Sequence, residues 1–312
     1  MVDNILIFCR GGRGDVFDCE PPVRFLVKEV FKESEKIAIT TEMIEPFEHL
    51  QSEQVSLYLN SYTKDKLQDF VGYNVLCSFE HDKRPVHGLN QPLMHGVDFA
   101  SLHLLGYLLP EKKRKIKLLA ASEEEREAVT EYFAKLGLDP CETLLLHPGN
   151  TWETRTVPVE WWEEFIKHYP YPVCVYGSNG KRVAGDDYVI NGMLPLSNVP
   201  SLVDKLTIRG AMVATELCWG VMTNDSFPVH IAAGYNNYLF TFALTKHWDT
   251  LKPYGHKKSY NFGKEVFDPT WYTAVNHTFT FDKFPNGVTS IMPFLLDPKV
   301  AADAVAKKFE DL

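Results

Sequence analysis

Apolar residues alternate along the chain between two patterns. Short runs such as 4–10, 143–147 and 172–176 are apolar almost throughout, which is typical of buried parallel strands rather than half-exposed ones. Between such runs, apolar residues recur every three or four positions, as at 97–109, and this spacing predicts helices. The alternation of strand and helix predicts an α/β fold built from doubly wound parallel sheets.

Two domains are the expected organisation, because 312 residues with 45% hydrophobic content can bury two cores of ordinary size. Strand-like runs at 36–40, 55–59 and 74–79 extend the first sheet. A helix with a clean start at Ser122 and a stop at Gly137 follows them. We therefore expect a first domain over 1–140 and a second over 141–295.

The segment 221–234 is the most informative stretch of the chain. A short apolar run leads into Asp225 and Ser226, and Pro228 fits the first turn of a helix. The N-terminus of such a helix favours an anion, for which a diphosphate is well suited, and His230 lies about one turn further on. On this stretch alone an alternative stays open, in which Asp225 and Ser226 only cap the helix and His230 is a surface residue.

A glycine-rich turn follows the first predicted strand. Three glycines between positions 11 and 14 permit a tight turn, and Asp15 comes directly after them. Ligands bind at the carboxyl ends of strands in open parallel sheets, so Asp15 is a candidate general base. Helix capping is the alternative role of this carboxylate.

Three turns in the second half follow predicted strands: 149–155, 177–180 and 224–230. The carboxyl ends of parallel strands meet at one edge of a sheet, so Gly149, Gly177 and Ser178 should lie near the Asp225 turn. Arg155 adds a cation to the same edge. One cation and one helix dipole suit a nucleotide diphosphate.

Charge and composition exclude several classes of protein. A formal charge of −9 and a pI of about 5.7 argue against an extended nucleic-acid-binding surface. A basic cluster over 112–115 is read as a solvated turn or, alternatively, as a patch for an acidic acceptor. The histidines between 81 and 95 lack metal-ligand spacing, so we expect a loop on the acceptor side and no metal site.

The cysteines and the termini point to a reducing compartment. Six cysteines occur without any C-x-x-C spacing, so we expect them to be reduced and structural. No run has the features of a signal peptide or the length of a membrane span. We therefore expect the protein in the cytoplasm.

Taken together, these motifs resemble glycosyltransferase family 9, the ADP-heptose:lipopolysaccharide heptosyltransferases and their relatives. The resemblance spans nearly the whole chain in order, and it rests on three segments: a strand leading into Arg-Gly-Gly-Arg-Gly-Asp15, His-Pro-Gly-Asn-Thr151 leading to Arg155 and Pro158, and Asn-Asp225-Ser226 with His230. A final helix over 296–312 also fits, and we expect it to pack back on the N-terminal domain.

This resemblance implies a GT-B fold, in which two Rossmann-like domains face across a cleft. It also implies an inverting, metal-independent transfer of a sugar from a nucleotide diphosphate to a hydroxyl, without a cofactor. Asp15 would be the base. The donor would be held by residues of the second domain, namely Asn150, Thr151, Arg155, Asp225, Ser226 and His230.

Some positions depart from the family pattern. Phe227 stands where a glycine is usual, Arg155 replaces a lysine, Val157 replaces a tryptophan, and the acidic residue expected after Ser178 is absent. Since the turn at Ser178 usually lies near the nucleoside, neither ADP nor heptose is assumed as the donor.

The expected partners are a nucleotide-sugar donor and a glycan or glycolipid acceptor of a bacterial surface, with peripheral contact at the cytoplasmic face of the inner membrane. Two alternatives stay open. One is transfer to a phage-type acceptor such as a modified DNA base, which the acidic chain disfavours and the basic cluster weakly favours. The other is a nucleotide-binding GT-B scaffold without turnover, which the presence of both Asp15 and Arg155 disfavours.

Overall fold

The structure is a computed structural model of the 312-residue chain. It describes residues 4–9, 12–59, 72–77, 94–149, 155–179, 182–183, 189–190, 193, 196–244, 247–263 and 290–312. The chain divides into two compact units. Unit 1 comprises Met1–Leu119 with Pro253–His256, and unit 2 comprises Ala120–Lys252 with Lys257–Leu312.

Unit 1 contains a four-stranded parallel sheet in the order β3-β2-β1-β4. Its strands are β1 (Asn4–Cys9), β2 (Ile37–Thr41), β3 (Val55–Leu59) and β4 (Tyr73–Cys77). Its helices are α1 (Arg13–Asp18), α2 (Glu20–Phe25), which continues as a π-helical turn (Leu26–Val30), and α3 (Gly96–Leu105), with short 3₁₀ helices at Glu45–Leu50 and Glu111–Lys113. The expected strands lie where their apolar runs predicted them.

The π-helical turn changes which side chains reach the core of unit 1. The Phe31 amide donates to the Leu26 carbonyl at 2.8 Å, five residues back, so one extra residue enters this turn. Leu26 stays buried, but Val30, which the helical spacing places on the apolar side, is 48% exposed.

Unit 2 contains a five-stranded parallel sheet in the order β11-β10-β9-β5-β6 and a small antiparallel pair. The strands are β5 (Leu144–His147), β6 (Val173–Val175), β7 (Arg182–Val183), β8 (Val189–Ile190), β9 (Gly220–Asn224), β10 (Tyr238–Phe242) and β11 (Ser259–Asn261). The helices are α4 (Glu123–Lys135), α5 (Val159–His168), α6 (Ile208–Leu217), α7 (Phe227–Gly234), α8 (Trp248–Leu251) and α9 (Pro298–Glu310), with 3₁₀ turns at Pro140–Glu142 and Met292–Phe294.

Helices cover both faces of the second sheet. Leu144 and Leu146 of β5 pack into one core with the aromatic residues of α5, whereas Leu145 between them packs into another core with α4 and α6. Neighbouring residues of a strand point to opposite faces, so this division requires two covering layers. The doubly wound architecture is confirmed.

The boundary between the units lies earlier than the expected position of 140. Helix α4 belongs to unit 2, because Val129 and Phe133 pack into a core with α6. Ion pairs join the same two helices: Arg209 Nε lies 2.7 Å from Glu125 Oε1, and Arg126 pairs with Glu216. Glu216 Oε2 also accepts the Ala121 amide at 2.8 Å, at the first residues of the unit. No sequence pattern marks these long-range pairs.

The C-terminal helix α9 also differs from expectation, because its packing partner is α5 of unit 2. Its residues Ala301, Ala302 and Val305 are fully buried in the same core as Trp161. The Trp161 indole Nε1 donates to the Leu296 carbonyl at 2.7 Å, just before the helix. Small residues on α9 permit a close approach to the large aromatic side chains of α5.

Four of the described cysteines are buried, namely Cys9, Cys19, Cys174 and Cys218, and Cys141 is exposed. All five are free thiols. Burial raises the pKa of the Cys174 thiol to about 12, which keeps it protonated and unreactive. None of the helices in the described ranges has the length and apolar character needed to cross a bilayer.

Candidate functional site at the edge of the second sheet

Asn224, the last residue of β9, organises the carboxyl edge of the second sheet. Its side chain is fully buried, and its Nδ2 donates to the carbonyls of Pro148 at 2.9 Å and Gly149 at 3.4 Å. Its Oδ1 accepts the Val157 amide at 3.3 Å. One amide side chain therefore holds both ends of the loop that follows β5. Asn150 and Thr151, two of the predicted donor ligands, lie outside the described residues.

Arg155 and Asp225 form an ion pair at this edge. Arg155 Nη1 lies 3.5 Å from Asp225 Oδ2, and the two side chains are only 14% and 4% exposed. The loop after β5 and the turn after β9 are thus brought together, as the strand order requires. Asp225 balances the charge of Arg155, so a diphosphate bound here gains less from this arginine than from an unpaired one.

His147, the last residue of β5, is a site residue that the sequence analysis quoted only as part of a motif. Its Nδ1 lies 3.4 Å from the Ser226 hydroxyl, which also lies 3.2 Å from the Thr223 hydroxyl. The imidazole meets the edge of the Tyr176 ring at a centroid distance of 5.7 Å. His147 therefore links the ends of β5, β6 and β9. Its position as the last residue of an apolar run was the signal that could have identified it.

Gly177 is required by the position of that imidazole. Its φ is +137°, in a region that residues with side chains rarely adopt. A Cβ on Gly177 would lie 3.0 Å from Cδ2 of His147 and 2.5 Å from the sulfur of Met193. This glycine is thus needed both for its backbone conformation and for the close approach of two side chains.

Ser226 occupies the N-cap position of α7, but its hydroxyl does not cap the helix. It contacts Thr223 and His147 instead. Pro228 has no N–H, and the Val229 amide already donates to the Ser226 carbonyl at 3.0 Å. The capping expected of Ser226 is therefore absent. The helix dipole remains, but α7 offers an anion fewer backbone donors than its sequence suggested.

An acidic residue stands beside Ser178, although none follows it closely in sequence. Asp204 Oδ1 accepts the Asn179 amide at 2.9 Å, and the Asp204 amide donates to the Gly177 carbonyl at 3.0 Å. Hydrogen bonds from the Asn179 amide and from Ser178 lower the pKa of Asp204, so its carboxylate stays ionised at neutral pH. Asp204 has φ +58°, which places it in a turn. Sequence reasoning missed it because it lies a full segment later in the chain.

Asp15 belongs to unit 1, whereas the residues described so far belong to unit 2. Asp15 is half-buried in the first turn of α1, and its Oδ2 accepts the Gly12 amide at 2.7 Å. This is the capping contact that was left open as its alternative role. A second carboxylate, Asp18, is 4% exposed and lies against the first residue of α3, where a Cβ on Gly96 would meet its Oδ2 at 1.8 Å.

The predicted histidines that the structure describes lie in helices or at their ends. His230 is half-buried in α7. Of the histidine-containing stretch over 81–95, the structure describes only its end, where Nδ1 of His95 caps α3 by accepting the Val97 amide at 3.1 Å. Within the described ranges, no group of three or more His, Cys, Asp or Glu side chains is arranged to hold a metal ion.

Among the comparisons with known proteins, only the comparison of structures finds similar proteins. No family model matches the sequence, and no curated protein matches it. Among solved structures, a glycosyl transferase of family 9 from Veillonella parvula aligns with a TM-score of 0.64 at 11% identity, over 99% of this chain and 96% of that one. ADP-heptose lipopolysaccharide heptosyltransferase II from E. coli aligns with a TM-score of 0.62 at 14% identity, over 99% of both chains.

A third structure extends this group. TibC from enterotoxigenic E. coli, an iron-containing dodecameric glycosyltransferase, aligns with a TM-score of 0.68 at 11% identity, over 99% of this chain and 79% of that one. All three alignments run through both units. The chain therefore has the α/β fold of these GT-B glycosyltransferases, with two Rossmann-like domains.

Proposed function

We propose that the protein is a glycosyltransferase that moves a sugar from a nucleotide-diphosphate donor to an acceptor hydroxyl. The observation that carries this proposal is the site at the carboxyl edge of the second sheet, where Asn224, the Arg155–Asp225 pair and the His147–Ser226 contact lie around the N-terminus of α7. Edges of this kind bind ligands in open α/β sheets. The fold shared with glycosyltransferases over 99% of the chain supports the same reaction class.

In the proposed reaction, the acceptor hydroxyl oxygen attacks the anomeric carbon on the face opposite the diphosphate. The carbon–oxygen bond to the diphosphate breaks, the configuration inverts, and the hydroxyl proton passes to Asp15. Negative charge grows on the leaving diphosphate, and Arg155 with the α7 dipole would stabilise it. Both groups supply positive charge without a metal ion, and the sequence has no Asp-x-Asp pair to hold one.

The donor diphosphate would be held by residues from two turns of unit 2. We assign Gly149, Asn150 and Thr151 to the loop side of the diphosphate, and Asp225, Ser226 and His230 to the helix side. Gly149 supports this assignment because its carbonyl is held by Asn224. Since Asp225 carries a negative charge beside Arg155, its proposed role is to orient the guanidinium and to accept hydroxyl groups of the sugar rather than to contact phosphate.

The nucleoside would lie near the turn formed by Gly177, Ser178 and Asn179. Asp204 supports this placement, because an ionised carboxylate at this turn can accept hydrogen bonds from ribose hydroxyls. The base and the sugar of the donor are left to experiment. The proposed acceptor is a surface glycan or its lipid-linked precursor, reached from the cytoplasmic face of the inner membrane.

A screen of nucleoside diphosphates and their sugars tests the proposal. The full chain would be melted with ADP, UDP, GDP and CDP, each with and without EDTA, and each stabilising nucleotide would then be followed by calorimetry. We expect one nucleoside diphosphate to raise the melting temperature equally with and without EDTA, because ligand binding to the folded state stabilises it. Binding that disappears with EDTA and returns with a divalent or iron ion would overturn the metal-free part of the proposal.

A nucleotide-binding scaffold without turnover is the second candidate, and one observation favours it. The Asp15 carboxylate is engaged by the Gly12 amide at 2.7 Å, as a purely structural helix cap would be. The two candidates share the site in unit 2 and differ only in what Asp15 does. A donor that binds tightly but is never consumed with any acceptor would favour the scaffold.

A further inference from the structure

The loop that follows α3 in unit 1 carries a concentration of positive charge. Residues 111–117 hold five cations and one carboxylate, a net charge of +4, within a chain whose net charge is −9. The rest of the chain therefore carries −13, which is −9 minus +4. We name residues 107–117 the basic ridge.

Inward and outward side chains alternate along the ridge. Arg114 turns inward, where Nε donates to the Leu109 carbonyl at 2.6 Å and Nη1 lies 3.2 Å from Asp98 Oδ1. Ile116 is 4% exposed. Lys112 and Lys117 are exposed, and Lys115 is half-buried. The lysine side chains thus reach solvent fully at Lys112 and Lys117 and partly at Lys113 and Lys115, while Arg114 and Ile116 anchor the segment.

A buried charge network fixes the ridge backbone from inside. Glu20 is fully buried, its Oε2 accepts the Lys117 amide at 2.9 Å, and its Oε1 accepts Arg24 Nε at 2.7 Å. Arg24 Nη2 donates to the carbonyl of Lys115 at 2.7 Å, and His49 Nε2 lies 3.0 Å from Glu20 Oε1. These hydrogen bonds attach the backbone at Lys115 and Lys117 to the buried Glu20–Arg24 pair, so the lysines project from an anchored segment.

Apolar side chains stand at the beginning of the ridge. α3 ends at Gly106, which has a left-handed conformation, and the next two residues, Tyr107 and Leu108, are 49% and 43% exposed. One of the four outward lysines is already compensated, because Lys113 pairs with Glu29. An exposed tyrosine and leucine beside lysines match the interfacial zone of a bilayer, where amphipathic rings and long cationic side chains lie together.

We propose that the basic ridge binds an anionic phospholipid surface. Lys112, Lys115 and Lys117, which have no carboxylate partner among the residues that the structure describes, would attract lipid phosphates, and Tyr107 with Leu108 would enter the headgroup layer. The remaining charge of −13 would be repelled by the same surface, so the ridge also sets the orientation of docking. This inference deepens the proposed membrane-side function, but its test needs no transfer activity.

Co-sedimentation of the full chain with lipid vesicles tests the ridge. We expect binding to phosphatidylcholine vesicles that contain phosphatidylglycerol, no binding to phosphatidylcholine alone, and loss of binding as salt is raised. A double variant, Lys112→Glu with Lys117→Glu, should lower the partition coefficient at least about twenty-five-fold, because each surface lysine contributes roughly a factor of five. A matched control, Lys299→Glu with Lys307→Glu on exposed positions of α9, changes the total charge equally and should bind as the wild type does.

Several outcomes would overturn the proposal. An equal loss of vesicle binding in the ridge variant and in the α9 control variant would show a general effect of net charge. Equal binding of the wild type to neutral and to anionic vesicles would show that the lysines do not attract lipid phosphates. Binding of duplex DNA at the same salt, tighter than vesicle binding and lost in the ridge variant, would assign the ridge to nucleic acid instead. Unchanged melting and nucleotide binding in the ridge variant separate this result from any failure of the proposed sugar transfer.

Discussion

Two turns at strand ends, one in each unit, are built in different ways. The turn after β1 in unit 1 is held by a local contact, since Asp15 accepts the amide of Gly12 three residues earlier. The turn after β9 in unit 2 is held by long-range contacts, since Asn224 reaches Pro148 and Val157 and Ser226 reaches His147. The first turn is exposed at Gly12 and Arg13, whereas Asn224 and Asp225 are buried.

The two turns therefore differ in how strongly their contacts support a functional role. The long-range contacts in unit 2 require polar groups to lose water and side chains to become ordered. They position polar side chains that are not needed to fill the core. Asp15 needs no such support to act as a cap. The proposed donor site is therefore supported by several long-range contacts in the structure, whereas the proposed role of Asp15 as a base must be tested by changing its carboxylate.

Asp15→Asn is the variant with the largest expected effect. The amide keeps an oxygen that can accept the Gly12 N–H, but it cannot take a proton from the acceptor. Removal of a positioned base typically lowers the rate by about 10²–10⁴. We expect kcat to fall by that factor while donor affinity and melting temperature stay close to those of the wild type.

Asp15→Ala serves as the control, because it also removes the cap, at a cost of about 1 kcal/mol in the free energy of unfolding. Full turnover by Asp15→Asn, once a donor and acceptor are known, would return Asp15 to the capping role. The two turns would then differ in function as well as in construction.

Gly177→Ala should disturb the site in unit 2 at the turn that we propose lies near the nucleoside, without removing a charged or polar side chain. The new Cβ would meet Met193 and His147, and φ +137° is strained for alanine. We expect a loss of about 1–3 kcal/mol in the free energy of unfolding, measured with urea, together with weaker nucleotide binding.

The matched control is Gly137→Ala, at the end of α4. Gly137 also has a positive φ, of +72°, but no atom lies within 4 Å of its added Cβ. It should lose stability through backbone strain alone and keep nucleotide affinity. If Gly177→Ala also bound nucleotide normally, His147 would have no part in shaping the donor site.

The smallest effect concerns the boundary of unit 2. The Arg209 side chain lowers the pKa of Glu125 to about 2, from 4.5. A lowered pKa in the folded state means that the pair stabilises the protein above pH 4.5 and that this contribution is lost as the pH falls towards 2. The pair is partly exposed, so we expect at most about 1 kcal/mol.

Urea unfolding of the wild type and of Glu125→Gln at neutral pH and near pH 2.5 measures this contribution. The glutamine keeps an acceptor for the Ser122 amide, which Glu125 Oε2 accepts at 2.8 Å. The advantage of the wild type should shrink in acid and in high salt. A difference that grew in acid would contradict the sign of the pKa shift.

Much of the fold could be predicted from sequence because its cause is local. β1, β2, β5 and β6 are apolar along most of their length, and short runs of this kind are typical of buried parallel strands. The meeting of the turns at Arg155 and Asp225 followed from the same rule, because parallel strands end at one edge.

Features that depend on contacts between distant residues could not be predicted. Asp204 contacts the turn after β6 although it lies in a later segment of the chain. The Ser226 hydroxyl contacts His147, at the end of a neighbouring strand, instead of capping its own helix. The boundary at Ala120 follows from the contacts of α4 with α6, which include a shared apolar core and two ion pairs. No local spacing encodes such pairs, so the sequence placed the boundary at the next turn.

The central claim is that the edge of the second sheet binds a nucleoside diphosphate through Arg155, and calorimetry of Arg155→Ala tests it most directly. A charge-assisted contact contributes about 1.5–3 kcal/mol. Because Asp225 compensates part of the charge of Arg155, we expect the lower end of that range, which is a loss of affinity of roughly tenfold. Lys167→Ala, which removes an exposed cation of α5 that pairs only with neighbouring Glu164 in the described contacts, should bind as the wild type does. Unchanged affinity in Arg155→Ala, with the folded state intact, would contradict the account.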